Sequence, residues 1–193
     1  MFRHFRPTRI GPALAIALAT SACGDANLLP PATLGVATDT ITLWAVTGTE
    51  IGLPSAYDLV YGITARTDRT ADFDFVFDFV YDAALGDTVP ALLPRGAVGL
   101  SADGGLLKVG TPFDSLYSAP GGDYDPDKIV PVDTNTTVVA RSRAQYCNFG
   151  ITAGLYAKIQ PLSISRTFRK LVFRMTIDPN CGYRSFLPGV PGN

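Results

Sequence analysis

The sequence predicts an all-β protein, a sandwich or barrel of short, mostly antiparallel strands with at most one short helix near residues 112–118. Three observations carry this expectation. The 193-residue chain has one Glu against sixteen Asp, with four Lys, two Gln and two Met, so strong surface helix formers are scarce while Thr, Val, Phe and Tyr are plentiful. Residues 72–82 alternate strictly: Phe73, Phe75, Phe77, Phe79 and Tyr81 fall on one face, and Asp72, Asp74, Val76, Asp78, Val80 and Asp82 on the other. The remaining apolar runs are short and broken by Gly and Pro, the spacing of a sandwich or barrel. Hydrophobic residues at 47% and charged residues at 17% exclude both a disordered polyampholyte and a membrane helix bundle.

The elements follow in order. Residues 1–22 read as an export signal, 23–37 as a tether, 38–187 as one β-rich domain and 188–193 as a tail. Two lobes meeting near 119–135 are the alternative. Thr38 to Val46 is β-branched with Trp44 inside it and predicts a first strand. Tyr57 to Ala65 alternates and predicts a second strand, bent at Gly62. Ala91–Pro94, Ala97–Leu100 and Leu106–Val109 predict short strands and hairpins. Thr111-Pro112-Phe113-Asp114 has the residue types of a helix start, ended by Pro120-Gly121-Gly122. Thr136–Arg143, Leu155–Ile164 and Lys170–Ile177 predict three strands, the last two a hairpin across Ser165–Arg169. Tyr183–Leu187 predicts a terminal strand.

The first residues set the compartment. Arg3, Arg6 and Arg9 precede an apolar run from Ile10 to Ala19, then small residues and Cys23, which is the layout of a secretory signal. The run is too short for a membrane span, which needs about 20 apolar residues. Leu18 to Gly24 (L-A-T-S-A-C-G) resembles the lipobox of bacterial lipoproteins, with Thr20 standing where Leu is usual. The resemblance implies cleavage before Cys23, diacylglyceryl and acyl chains on that cysteine, and a membrane partner through the lipid. Gly24 after the cysteine favours an outer-membrane address. An ordinary secreted protein cut near Ala22 is the alternative. Cleavage removes His4, the only histidine.

Cys147 and Cys181 then remain, and two cysteines in an oxidising compartment pair. No nucleophile triad is legible: the mature chain has no His, the only Glu is Glu50, and no G-x-S-x-G or phosphate-binding loop occurs. The chain is therefore expected not to be an enzyme and to need no cofactor, calcium being the one possible ion. Asp123, Asp125 and Asp127 resemble the start of a calcium loop, but Lys128 and Thr134 replace the Gly and Glu of an EF-hand. The acidic face of 72–82 reads as a solvated strand face. Pairing with the basic strands, calcium binding and carboxylate catalysis are its alternatives.

The net charge of −1 hides a division. Residues 23–133 carry sixteen acidic and five basic side chains, and residues 134–193 carry one acidic and eight basic. Arg141 and Arg143 share a strand face, as do Lys170 and Arg174, and such a face suits phosphate, an anionic glycan or lipid headgroups. A solvated face or ion pairing with the acidic half is the competing reading, while export and the acidic total argue against nucleic acid.

Val138 to Arg143, Tyr156 to Ile159 and Leu171 to Ile177 resemble the C-terminal strands of HmuY-like surface lipoproteins, and Asp74 to Phe77 resembles an upstream strand. That resemblance implies a β-rich fold. Some members bind haem through paired histidines, which a mature chain without histidine cannot supply, leaving Met175 and tyrosines as axial ligands. The expected function is a lipid-anchored envelope protein with a binding or structural role toward an envelope protein, glycan or small ligand. A small-ligand scavenger and an Asp- or metal-dependent hydrolase are the alternatives.

Overall fold

The computed structural model describes residues 29, 31–147 and 150–191, so Cys23 and the expected export signal lie outside the described residues. The described residues form twelve strands: β1 (Ala37–Trp44), β2 (Ala56–Asp58), β3 (Ile63–Ala65), β4 (Phe75–Asp82), β5 (Asp87–Pro94), β6 (Gly105–Val109), β7 (Val130–Pro131), β8 (Thr137–Arg141), β9 (Gln145–Cys147), β10 (Ile151–Ala153), β11 (Tyr156–Ser165) and β12 (Lys170–Asp178). One sheet has the order β1-β12-β11-β8-β6 and the other β3-β2-β4-β5-β7, while β9 and β10 form a separate hairpin. Every pairing is antiparallel. The sheets face each other as a sandwich and do not close into a barrel. Among the described residues no helix is long and apolar enough to cross a membrane.

The core lies between the sheets. Phe75, Phe77 and Phe79 of β4 meet Leu171, Phe173 and Met175 of β12, with Ile41, Leu43, Leu92, Val138 and Ile159 around them. Phe75 and Phe173 pack edge to face with ring centroids 6.2 Å apart. Burying each such aromatic stabilises by roughly 1.5–3 kcal/mol.

The period-two pattern of 72–82 produces this face, but only three of its five aromatics reach it. Phe73 precedes the strand, where the chain bends and the Asp74 N–H donates to the Tyr57 carbonyl. Its ring packs with Ala56, Val76 and Leu93 on the other side of the sheet. Tyr81 runs past the edge of the opposite sheet and is 69% exposed.

Several expectations are corrected. Tyr57–Ala65 is not one bent strand but the β2–β3 hairpin, because Gly62 takes φ 67° and the Asp58 carboxylate accepts the Val60 and Tyr61 N–H groups, closing a turn. The expected helix is a single 3₁₀ turn, Phe113–Ser115, preceded by Pro112 in an extended conformation. Ala97–Leu100 is not a strand: a 3₁₀ turn spans Gly96–Val98 and Gly99 ends it at φ 80°. Tyr183–Leu187 forms no strand and makes one bridge, Ser118 to Ser185. The β9–β10 hairpin and β7 were not expected.

The chain also joins the fold earlier than residue 38. The Ala32 N–H donates to the Tyr183 hydroxyl, the Thr33 and Leu34 N–H groups donate to Asn180 Oδ1, and Val36 bridges Gly189. The last of these also ties in the segment expected to be a loose tail.

Candidate functional site

The acidic and basic halves of the sequence meet across the sandwich. Arg143 follows β8 and reaches the opposite sheet. Its Nη2 donates to both Asp58 oxygens, at 3.0 and 2.9 Å, and its Nη1 to Asp74 Oδ2 at 3.2 Å. Asp74 also accepts the Arg143 and Leu59 N–H groups, each at 2.7 Å. Both carboxylates are buried. Burial pushes the Asp74 carboxyl above its ordinary range, outweighing the lowering by Arg143. Burial acts to lower the Arg143 guanidinium, and the bond to Asp58 with the Asp74 charge raises it on balance.

A second junction lies at the β11–β12 turn. Arg169 donates to Asp78 Oδ1 at 3.2 Å and to the Thr47 carbonyl at 2.7 Å, with its guanidinium carbon 4.8 Å from the Phe79 ring centre. Asp78 accepts the Thr47 hydroxyl and the Phe79 N–H as well. Arg166 and Asp87 pair on the surface at 3.5 Å. Arg174 pairs with Asp114 at 2.8 Å, and that bond holds the carboxyl of Asp114 below its ordinary range.

The expected solvated face of β4 is therefore corrected at its centre. Asp74 and Asp78 are buried and paired with basic residues, while Asp72 is exposed and Asp82 sits at the rim.

The four basic residues singled out in the sequence do not form one patch. Arg143 points into the buried cluster. Arg141 lies over the Tyr124 ring at 5.3 Å. Arg174 is engaged by Gln160 and Asp114, and Lys170 stands beside Trp44 at the far end of β1. Lys158, another of the eight basic residues of the C-terminal part, is buried. Its ammonium donates to the Phe113 and Leu116 carbonyls at 2.7 and 3.0 Å, and burial pushes its pKa down.

The acidic loop is held by its own backbone. Asp125 Oδ1 accepts the Asp127 and Lys128 N–H groups, Asp123 has φ 67°, and the Asp125 backbone exchanges two bonds with Leu106. Among the described residues no group of three or more His, Cys, Asp or Glu side chains is placed to hold a metal. Asp123, Asp125 and Asp127 are thus not brought together as a calcium cage.

Cys147 and Cys181 lie at disulfide distance, with Cα atoms 5.9 Å apart. Beside them a polar clamp grips the N-terminal segment. Asp178 is fully buried, and its Oδ1 accepts the backbone and side-chain N–H groups of Asn180. Asn180 in turn accepts from Thr33 and Leu34 and donates to the Leu34 carbonyl. Burial raises the Asp178 carboxyl pKa, against the lowering by the Asn180 bonds and the Ser185 N–H. Nothing in the local sequence Asp178-Pro179-Asn180 distinguishes this clamp from an ordinary turn.

An open groove of about 440 Å³ lies on the outer face of the second sheet. Phe73, Val76 and Leu100 form its floor, and Asp68, Arg69 and Thr70 its rim. Its volume falls within the range of small-ligand sites, about 300–1,000 Å³. Arg95 props the floor from beneath by donating to the Ala71 and Phe73 carbonyls at 2.7 and 2.6 Å. No family model, curated protein or solved structure matches this chain.

Proposed function

We propose that this chain is a lipid-anchored protein of the bacterial cell envelope whose β-sandwich has a binding or structural role and no catalysis of its own. The observation that carries the reading is the N-terminal sequence: three arginines, a ten-residue apolar run and small residues ending at Cys23. Multiple acyl chains on that cysteine would give a stable anchor where a single chain gives only a reversible one. A cysteine pair at disulfide distance fits an oxidising compartment. Gly24 favours the outer membrane. The non-catalytic part rests on the acids themselves, since Asp58, Asp74 and Asp78 are already engaged by arginines and backbone N–H groups.

The test is Cys23→Ala in the native host. The expected result is loss of fatty-acid label and release of the protein from the membrane fraction. Unchanged label and fractionation would overturn the anchor.

The groove floored by Phe73, Val76 and Leu100 favours a second reading, a small-ligand scavenger of the kind the HmuY-like resemblance implies, without histidine ligands for haem. Thr70→Trp fills that groove. Native mass spectrometry of envelope-purified protein should then show a small molecule on the unaltered chain that the variant lacks, and an unliganded native chain counts against this reading.

A further inference from the structure

We infer that the corner of the sandwich formed by residues 31–37, 144–147, 150–155 and 180–191 rests on the bilayer that carries the anchor. This inference depends on the lipid anchor proposed above.

Tether length is the first argument. Leu29 already touches the fold, with its side chain over Gly182 beside Ala153. Six peptide steps separate it from Cys23. Fully extended, they span about 20 Å, so the corner cannot stand far from a lipid on Cys23. The clamp of Asn180, Tyr183 and Gly189 on residues 32–36 keeps the rest of the segment from paying out more chain.

Surface chemistry is the second. Apart from Arg184, the described residues of these segments carry no charged side chain. The corner nonetheless exposes Leu34 (53%), Leu187 (52%), Val190 (55%) and Tyr146 (76%). The Val36–Gly189 bridge lays the segment that carries Leu34 alongside the one that carries Val190. Apolar and tyrosyl side chains with few charges, Asp103 on the Ala144 N–H and the Arg141 stem at Gly154 marking the edge, suit the boundary between headgroups and acyl chains. The opposite end of the sandwich also exposes Phe168 (71%), Tyr81 (69%) and Leu85 (68%), but there they are interleaved with the charges of Asp82, Asp87, Arg166, Arg169 and Lys170.

The chain supplies its own control. Trp44, the only tryptophan, sits at the far end of β1, seven strand steps from Ala37, or about 23 Å. The full lipidated chain is reconstituted in phosphatidylethanolamine and phosphatidylglycerol vesicles with plain or brominated acyl chains. Flotation with the vesicles reports the anchor, and tryptophan quenching reports the corner. Trp44→Phe combined with Val190→Trp, and separately with Leu34→Trp, should each lose about half of the emission in brominated vesicles. The unaltered chain should keep its Trp44 emission. A chain that floats while neither introduced tryptophan is quenched overturns the bilayer contact. A chain that does not float overturns the anchor, and this inference with it.

Discussion

The two ends of the sandwich join the acidic and basic halves of the chain in different ways. At one end Arg143 enters a buried site, where its guanidinium satisfies Asp58 and Asp74 together and its own N–H completes the set. At the other, Arg169 is part-exposed over Asp78, and Arg166 meets Asp87 in solvent. The same division of charge thus produces one junction shielded from water and another that opens to it, from the half-covered Arg169–Asp78 pair out to the exposed Arg166–Asp87 pair. Burial decides what each is worth: a desolvated pair that loses one partner leaves an uncompensated charge, whereas a solvated pair is replaced by water.

The largest expected effect is at the buried end. Arg143→Met should destabilise the domain by about 3–5 kcal/mol in urea unfolding, with little dependence on salt. The loss should shrink as pH falls, because a protonated Asp74 no longer needs a cation. At the open end, Arg169→Met should cost about 1–2 kcal/mol, and part of that cost should disappear in 1 M salt.

The buried end also holds two carboxyls whose pKa is raised, Asp74 and Asp178. As pH rises, the unfolded chain releases these protons first. Their contribution is therefore full below about pH 4 and is lost as pH climbs through the raised folded values. Asp178→Asn should flatten the pH dependence of unfolding free energy above about pH 4, removing the loss of stability that the raised carboxyl brings as pH rises. An unchanged slope would show that the buried Asp178 carries no such proton. Smallest of all, Arg166→Ala should change stability by less than about 0.5 kcal/mol, and a larger loss would erase the contrast between the ends.

The strand pattern was legible wherever it was long. β1, β11, β12 and the aromatic face of β4 follow from β-branched runs and period two, because one buried face is enough to imprint alternation. The β2–β3 hairpin was missed because its turn residues, Asp58 to Gly62, keep the alternation running through the reversal. Alternation also says which residues share a face without saying what covers it. Asp74 and Asp78 read as solvated, yet Arg143 and Arg169 arrive from positions 69 and 91 residues away. The charge division hinted at that pairing without choosing the partners. The clamp of Asp178 and Asn180 left no trace in the sequence, since it consists of side chains bonding to a backbone segment nearly 150 residues earlier.

The central claim is that the acidic and basic halves hold each other inside the fold. A double-mutant cycle on Arg143→Met and Asp58→Asn tests it most directly, because Asn keeps an oxygen for the Val60 and Tyr61 N–H groups while removing the charge. The predicted result is a coupling of about 2 kcal/mol, with the double variant more stable than the sum of the single losses implies. Losses that add to within about 0.3 kcal/mol would contradict the claim.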